Sequence, residues 1–191
     1  MNDPRPSDRA SHPTASEGAL ARALHRLRGF LAIATLVVLL DQGTKALVRD
    51  RLAFDETWPP GWTLIHFSHV ENTGAAFGIL QGAGTFLIAV SLIAVAAVTV
   101  FLLMLPAHSR FYPTALSLIL GGAIGNLIDR LRLGAVTDFI DPIYYPAFNL
   151  ADSSIVIGVA ALLLLSWFDG REERAAAEDG PQPAPRVETL R

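Results

Sequence analysis

The stretch TFLIAVSLIAVAAVTVFLLML, residues 85–105, decides the fold class of this 191-residue chain. It contains no Asp, Glu, Lys or Arg, and the whole segment between Glu71 and Arg110 is free of these charged residues. About 20 mostly apolar residues in a helix are enough to cross the hydrocarbon core of a bilayer. Pro106 follows directly and stops a helix there. The pattern therefore predicts a transmembrane helix.

Three further stretches are long and apolar enough to span a membrane, namely residues 27–48, 113–131 and 151–168. Over the whole chain 17% of residues are charged, against roughly 25% in an average soluble domain. The mean hydropathy of +0.39 points the same way. We therefore predict a mainly α-helical membrane protein with four transmembrane helices.

Charge and cysteine content exclude several function classes. The net charge of −3 argues against a nucleic-acid partner bound through a basic patch. The absence of cysteine excludes disulfides, thiol catalysis and iron–sulfur ligation.

The two ends of the chain differ from its middle. Residues 1–26 and 169–191 are rich in charge, Ala and Pro, which predicts disordered tails. Arginines in both tails and at Arg110 place both termini in the cytoplasm by the positive-inside rule. Four arginines near the opposite helix ends count against this orientation: Arg49, Arg51, Arg130 and Arg132. With both termini inside, the polar ends of the first, third and fourth helices lie near the outer face.

Two connecting segments are too long to be simple turns. Residues 50–84 contain a run of β-forming residues, WTLIHFSHV at 62–70, which predicts a small extracytoplasmic sheet lying on the membrane. Residues 132–150 contain Pro142 and Pro146 and are expected to form a mobile lid loop.

Polar residues inside predicted membrane helices are rare and mark functional sites by default. Asp41 and Lys45 in DQGTK, residues 41–45, are spaced to pair on one helix face, so they form either a structural ion pair or part of a site. In GGAIGNLIDR, residues 121–130, the glycines allow close helix packing.

The polar residues of that same motif have different expected roles. Asp129 and Arg130 are expected to pair with each other as a buried ion pair. Asn126 lies one turn deeper and is free to hold the backbone of a bound peptide. ENTGAAFG, residues 71–78, offers Asn72 and Gly74 as either a turn or an edge that approaches a substrate backbone closely.

Two acidic residues, Asp138 and Asp152, bracket residues 139–151, which include most of the 132–150 segment. Asp138 lies in VTDFID, residues 136–141, and Asp152 in FNLADSS, residues 148–154. Either has an ordinary explanation, solvation for Asp138 and helix capping for Asp152. If the segment folds back, the carboxyl groups meet and share one proton, so that one activates water and the other acts as general acid. Asp141 is the alternative to Asp138 as the partner of Asp152.

Other hydrolytic arrangements are missing. The chain has neither an HExxH nor a GxSxG motif, and no metal site is predicted. A serine–lysine pair would need Lys45 with Ser153 or Ser154, and Asp41 beside Lys45 makes that unattractive.

Two other function classes remain open at this point. A small transporter or ion-binding protein would use four aspartates as a cation site: Asp41, Asp129, Asp138 and Asp152. A membrane scaffold would need the same residues only for structural ion pairs. The polar 50–84 loop and the uncharged second helix disfavour a transport pathway.

The motifs DQGTK, ENTGAAFG, GGAIGNLIDR, VTDFID and FNLADSS, in this order, resemble bacterial lipoprotein signal peptidase (signal peptidase II) over about residues 30–168. The resemblance implies four transmembrane helices with an extracytoplasmic β-cradle. It also implies an aspartic endopeptidase that cleaves prolipoproteins on the N-terminal side of the S-diacylglyceryl cysteine.

By the same resemblance Asp138 and Asp152 are the catalytic pair. The binding or supporting residues that it implies are Asp41, Lys45, Asn72, Gly74, Asn126, Asp129, Arg130 and Asn149. The expected setting is the bacterial cytoplasmic (inner) membrane, with membrane lipids and diacylglyceryl-modified prolipoproteins as partners. Cyclic peptide inhibitors of the globomycin type are expected to bind. No cofactor is expected, and the protein is expected to be a monomer.

Overall fold

The computed structural model describes residues 15–62, 64–74, 84–105 and 111–178. Four helices and three strands follow one another along this part of the chain: α1 (Ala15–Arg51), β1 (Thr57–Trp58), β2 (Ile65–Asn72), α2 (Gly84–Met104), α3 (Tyr112–Leu133), β3 (Val136–Pro142) and α4 (Leu150–Glu178). All four helices are long and apolar enough to cross a membrane. The predicted fold class is therefore confirmed.

Two helices extend beyond their predicted ends. The tails 1–26 and 169–191 were expected to be disordered, whereas α1 includes residues 15–26 and α4 includes residues 169–178. A helix that already exists adds residues at little cost, because only its first turn requires the unfavourable nucleation step. The remaining tail residues, 1–14 and 179–191, lie outside the described residues.

Helix α3 forms the centre of the bundle and packs against α1, α2 and α4. Glycines make this close packing possible. A Cβ atom at Gly122 would overlap the carbonyl oxygen of Ala151 at the start of α4, and one at Gly125 would lie 2.5 Å from an Asp41 carboxylate oxygen. The predicted role of these glycines is confirmed. Side chains of α3 thereby come within hydrogen-bonding distance of α1 and α4.

The three strands form one antiparallel sheet in the order β1-β2-β3. The predicted sheet in the 50–84 segment is present as β1 and β2, with residues 75–83 outside the described residues. Its third strand, β3, comes from the segment that was expected to be a lid. The backbone of Ile140 exchanges two hydrogen bonds with Phe148, so this segment folds onto the sheet as far as residue 148.

A short connection places β3 directly at the end of α3. Gly134 ends the helix with φ of 77°, and its N–H donates to the carbonyl of Arg130. Only two residues separate the helix from the strand, so Asp138 lies close to the polar end of α3. Because α4 starts at the same end of the bundle, the polar groups of α1, α3, α4 and β3 converge there.

Candidate active site

Asp138 and Asp152 line one cavity of about 210 Å³. Asn72, Asn126 and Arg130 also line it, so that α3, α4 and the sheet all contribute polar side chains. Apolar groups complete the wall, with Val136, Ile155 and Val156 among them. The fold thus brings together the two acidic residues that the sequence singled out.

Asp138 is almost completely buried on β3, with 2% of its surface exposed. One carboxylate oxygen accepts a hydrogen bond from Nδ2 of Asn149 at 2.7 Å, and the other accepts one from Nδ2 of Asn72 at 3.0 Å. Burial, together with the nearby Asp152 carboxylate, raises the pKa of Asp138 to about 6, although the two amide donors and Lys45 act in the opposite direction. This carboxyl group can therefore hold or release a proton near neutral pH.

Asp152 lies in the first turn of α4 and forms a reciprocal cap with Asn149. The N–H of Asp152 donates to Oδ1 of Asn149 at 2.9 Å, and the N–H of Asn149 donates to the Asp152 carboxylate at 3.2 Å. The expected helix-capping role is thus present. The other Asp152 oxygen accepts from Nδ2 of Asn126 at 2.7 Å. The Asp152 carboxylate therefore caps the first turn of α4 and also faces the cavity.

Asn149 connects the two aspartates and is itself fully buried. Its side chain donates to Asp138, whereas its backbone N–H donates to Asp152. A second amide, Asn72, is oriented by the N–H of Gly74, which donates to Oδ1 of Asn72 at 2.9 Å and leaves Nδ2 facing Asp138. Both asparagines are therefore positioned to hold the carboxylates in place.

A fully buried lysine lies one layer below the cavity. Nζ of Lys45 is 2.9 Å from Asp41 and 3.1 Å from Asp129, and it donates to Oδ1 of Asn126 at 2.8 Å. The predicted pair between Asp41 and Lys45 is confirmed. We call Asp41, Lys45 and Asp129 the ion cluster. It is in contact with the cavity through Asn126, whose Nδ2 donates to Asp152.

The predicted pair between Asp129 and Arg130 is wrong. Asp129 pairs with Lys45 instead, while Arg130 lies at the cavity and donates to Oγ of Ser91 at 3.4 Å. Consecutive helical residues point about 100° apart, because an α-helix has 3.6 residues per turn. The two side chains of this motif therefore face different neighbours.

The ion cluster also holds the backbone around the cavity. Asp41 accepts from the N–H of Ala151 at 3.0 Å, and Asp129 accepts from the N–H of Thr137 at 3.2 Å. These two contacts fix the residues directly before Asp152 and Asp138. The cluster is a support for the acidic pair.

Two residues join this support that sequence reasoning did not single out. Nε2 of Gln42 donates to Asp129 at 3.0 Å and to the carbonyl of Gly125 at 3.1 Å. Arg49 donates to Oγ1 of Thr137 at 2.8 Å. Their positions on α1 could have indicated this role, because Gln42 directly follows Asp41 and Arg49 lies four residues, about one helical turn, after Lys45.

The contacts also bear on the other function classes. The four aspartates do not form one cation site, because Asp41 and Asp129 bind the Lys45 ammonium while Asp138 and Asp152 line the cavity. Within the ranges that the structure describes, no three acidic or histidine side chains are grouped to hold a metal ion. The hydroxyls of Ser153 and Ser154 donate to helix carbonyls, which leaves Lys45 without a serine partner.

The chain is similar to known proteins over most of its length. A sequence profile described as signal peptidase (SPase) II matches residues 33–168. A lipoprotein signal peptidase of Syntrophotalea carbinolica is 43% identical over 159 residues, which cover 80% of this chain and 99% of that protein. One of Caldanaerobacter subterraneus is 45% identical over 141 residues, covering 73% and 97%.

Two solved structures, both described as bacterial membrane enzymes, share the fold. One, obtained by the in meso method at 2.3 Å resolution, has a TM-score of 0.71 and 30% identity, covering 82% of this chain and 94% of that chain. The other, at 1.9 Å resolution, has a TM-score of 0.65 and 34% identity, covering 72% and 91%.

Proposed function

Because this chain belongs to the signal peptidase II family, which removes signal peptides from lipoprotein precursors, we propose that it is an aspartic endopeptidase with Asp138 and Asp152 as the catalytic pair. One observation carries the proposal. Both carboxylates line a single cavity and both accept hydrogen bonds from Asn149. Two carboxyl groups held this way share one proton, as general acid–base hydrolysis requires.

In this mechanism the ionised carboxylate takes a proton from a water molecule, and the water oxygen attacks the scissile carbonyl carbon. The protonated carboxyl then supplies the proton that the leaving amide nitrogen needs when the C–N bond breaks. Arg130, whose guanidinium lies at the cavity, is suited to hold a carbonyl oxygen of the substrate. Asn126 and Asn149 donate to the aspartates, so they act as positioning residues.

The substrate that we propose is a diacylglyceryl-modified prolipoprotein, cleaved on the N-terminal side of the modified cysteine. Its signal helix and acyl chains lie in the bilayer, so its scissile bond is near the membrane interface. The convergence of the polar helix ends with the sheet supports an active site at that depth, near the outer face of the cytoplasmic membrane. Both termini are then cytoplasmic, and a monomer with no cofactor suffices. A globomycin-type cyclic peptide would compete for the same cavity.

The test is cleavage of a diacylglyceryl-modified prolipoprotein by the purified protein in detergent, with and without EDTA. We expect cleavage to be unchanged by EDTA, because the proposed acid–base pair acts without a metal, and the product mass to place the cut directly before the modified cysteine. A precursor with serine in place of that cysteine serves as the uncleaved control. A well-folded protein that leaves the modified precursor intact, or that loses activity in EDTA, would contradict the proposal.

The pH dependence of cleavage follows from the pKa of Asp138. A carboxyl with a pKa of about 6 is mostly protonated below pH 6 and mostly ionised above it. The proposed mechanism needs one proton shared between Asp138 and Asp152. We therefore expect kcat/KM to fall as the pH rises through about 6, because this proton is then lost. The measurement is kcat/KM from pH 4 to 9 in roughly half-unit steps, with Asp141→Asn as a control of unchanged profile. A rate that keeps rising above pH 7 would contradict this assignment of the proton.

A further inference from the structure

A second and larger cavity lies on the other side of the sheet. This cavity, which we call the α1 slot, has a volume of about 510 Å³. It lies between residues 44–52, which run to just past the end of α1, and the aromatic side chains of Trp58, Phe67 and Phe139. Its volume is within the range of about 300–1,000 Å³ that is usual for small-molecule sites. The slot is therefore large enough to hold a ligand of its own.

The α1 slot is separate from the proposed active site. Asp138 and Phe139 are consecutive on β3, and consecutive strand residues point to opposite faces of a sheet. Accordingly Asp138 lines the first cavity, whereas Phe139 lines the slot and is 6% exposed. Thr137, on the same face as Phe139, contacts Arg49 of α1. Strand β3 thus separates the two cavities.

The lining of the α1 slot is apolar and open to the outside. Leu47 and Trp58 are 55% and 57% exposed, so the slot opens sideways at the surface of the bundle. The hydroxyl of Thr44 donates to the carbonyl of Leu40, which satisfies it within the helix. Residues 44–52 extend for about 12 Å at 1.5 Å per residue, which is a length suited to part of an acyl chain.

One end of the α1 slot carries a cation. Arg51, in the last turn of the membrane-spanning helix α1, lines the slot and has a side chain that is 74% exposed. Its contact with Asp50 at 3.3 Å is an exposed pair, which other partners can replace. The last turn of a spanning helix lies where lipid phosphates are, and an exposed tryptophan such as Trp58 is typical of that layer.

We propose that the α1 slot binds an anionic phospholipid of the surrounding bilayer, with one acyl chain against Leu47, Trp58 and Phe139 and the phosphate on Arg51. The apolar wall and the terminal cation match the two parts of such a lipid at their natural depth. A bound phospholipid would cover the face of the sheet opposite Asp138 and hold β3 against α1. This site does not depend on the proposed catalytic chemistry.

The test measures quenching of Trp58 fluorescence by phospholipid brominated in its acyl chain. The protein carries Trp62→Phe and Trp167→Phe, so that Trp58 is the only tryptophan, and is placed in phosphatidylcholine nanodiscs with a small mole fraction of brominated phosphatidylglycerol. We expect about fivefold enrichment of the brominated lipid at Trp58 over its bulk fraction, which corresponds to about 1 kcal/mol from one arginine at a lipid phosphate.

Four comparisons decide between the outcomes. Arg51→Gln should reduce the enrichment to the bulk value, whereas Arg132→Gln, an exposed arginine away from the slot, should leave it unchanged. A protein that keeps only Trp62 should report the bulk fraction. Brominated diacylglycerol, which has no phosphate, should not be enriched. Equal quenching by both lipids, preference for diacylglycerol, or no effect of Arg51→Gln would overturn the proposal, and preference for diacylglycerol would assign the slot to the lipid group of a substrate.

Discussion

Asp138→Asn and Asp152→Asn are each expected to abolish cleavage of a diacylglyceryl-modified prolipoprotein while the protein stays folded. An amide cannot take a proton from water or give one to the leaving nitrogen, and general acid–base groups contribute about 10²–10⁴-fold to rate. Loss of either member also ends the sharing of one proton, so we expect a fall of about 10³-fold or more. The measurement is the initial cleavage rate in detergent, alongside the apparent Tm of each variant.

The fold is expected to survive both changes for a local reason. An asparagine at 138 can still accept from Asn149 and loses only the hydrogen bond from Asn72, which lines the cavity. It also removes a buried carboxylate whose pKa of about 6 leaves it mostly charged at neutral pH. An asparagine at 152 can still accept from the N–H of Asn149 and keep the helix cap, and it loses only the hydrogen bond from Asn126. An apparent Tm close to that of the unaltered protein therefore separates lost chemistry from lost structure.

The matched control is Asp141→Asn, which changes the same residue type three positions along the same strand. The backbone of Asp141 lies opposite His66 of β2, and Asp141 is not among the residues that line the cavity with Asp138 and Asp152. Its variant should cleave at close to the normal rate. Full activity in Asp138→Asn together with loss in Asp141→Asn would move the catalytic role to Asp141 and refute the pair proposed here.

Lys45→Met is expected to cause the largest loss of stability. Its ammonium faces Asp41 and Asp129 at 2.9 and 3.1 Å with all three side chains buried. Removing one partner from a buried ion pair costs about 3–5 kcal/mol. Here the change leaves the buried Asp41 carboxylate without a cation and Asp129 with only Arg49, at 4.0 Å. For a chain of this size, that cost lowers Tm by about 10 °C or more. Thermal unfolding in detergent, followed by circular dichroism, measures it.

Two further variants show whether the lost charge is the cause. Lys45→Met combined with Asp129→Asn leaves one buried carboxylate instead of two, so its Tm should lie above that of Lys45→Met alone. Arg51→Gln breaks only the exposed pair with Asp50, and such a surface change stays within about 0.5 kcal/mol. Equal Tm values for Lys45→Met and Arg51→Gln would show that the buried cluster does not stabilise the fold.

Hydropathy alone was sufficient to identify the four helices, because a bilayer imposes a length and a composition that any spanning segment must meet. The uncharged stretch 85–105 has the length and composition of a spanning helix, and α2 occupies Gly84–Met104. The spacing of Asp41 and Lys45 likewise predicted their contact, since residues four apart are neighbours on any helix. These features are local, so a single segment contains all the information that they need.

Contacts between distant segments were decided only by the tertiary structure. Asp129 had an adjacent arginine as its expected partner, yet its buried carboxylate lies against Lys45, 84 positions earlier, because α3 packs on α1. The segment 132–150 was predicted to be a mobile lid, whereas it contributes β3. Its sequence alone could not indicate this, because a strand becomes stable only when a partner, here β2, pairs with it. The meeting of Asp138 and Asp152 depends on both arrangements, since β3 and α4 reach one cavity only after the sheet and the bundle have formed.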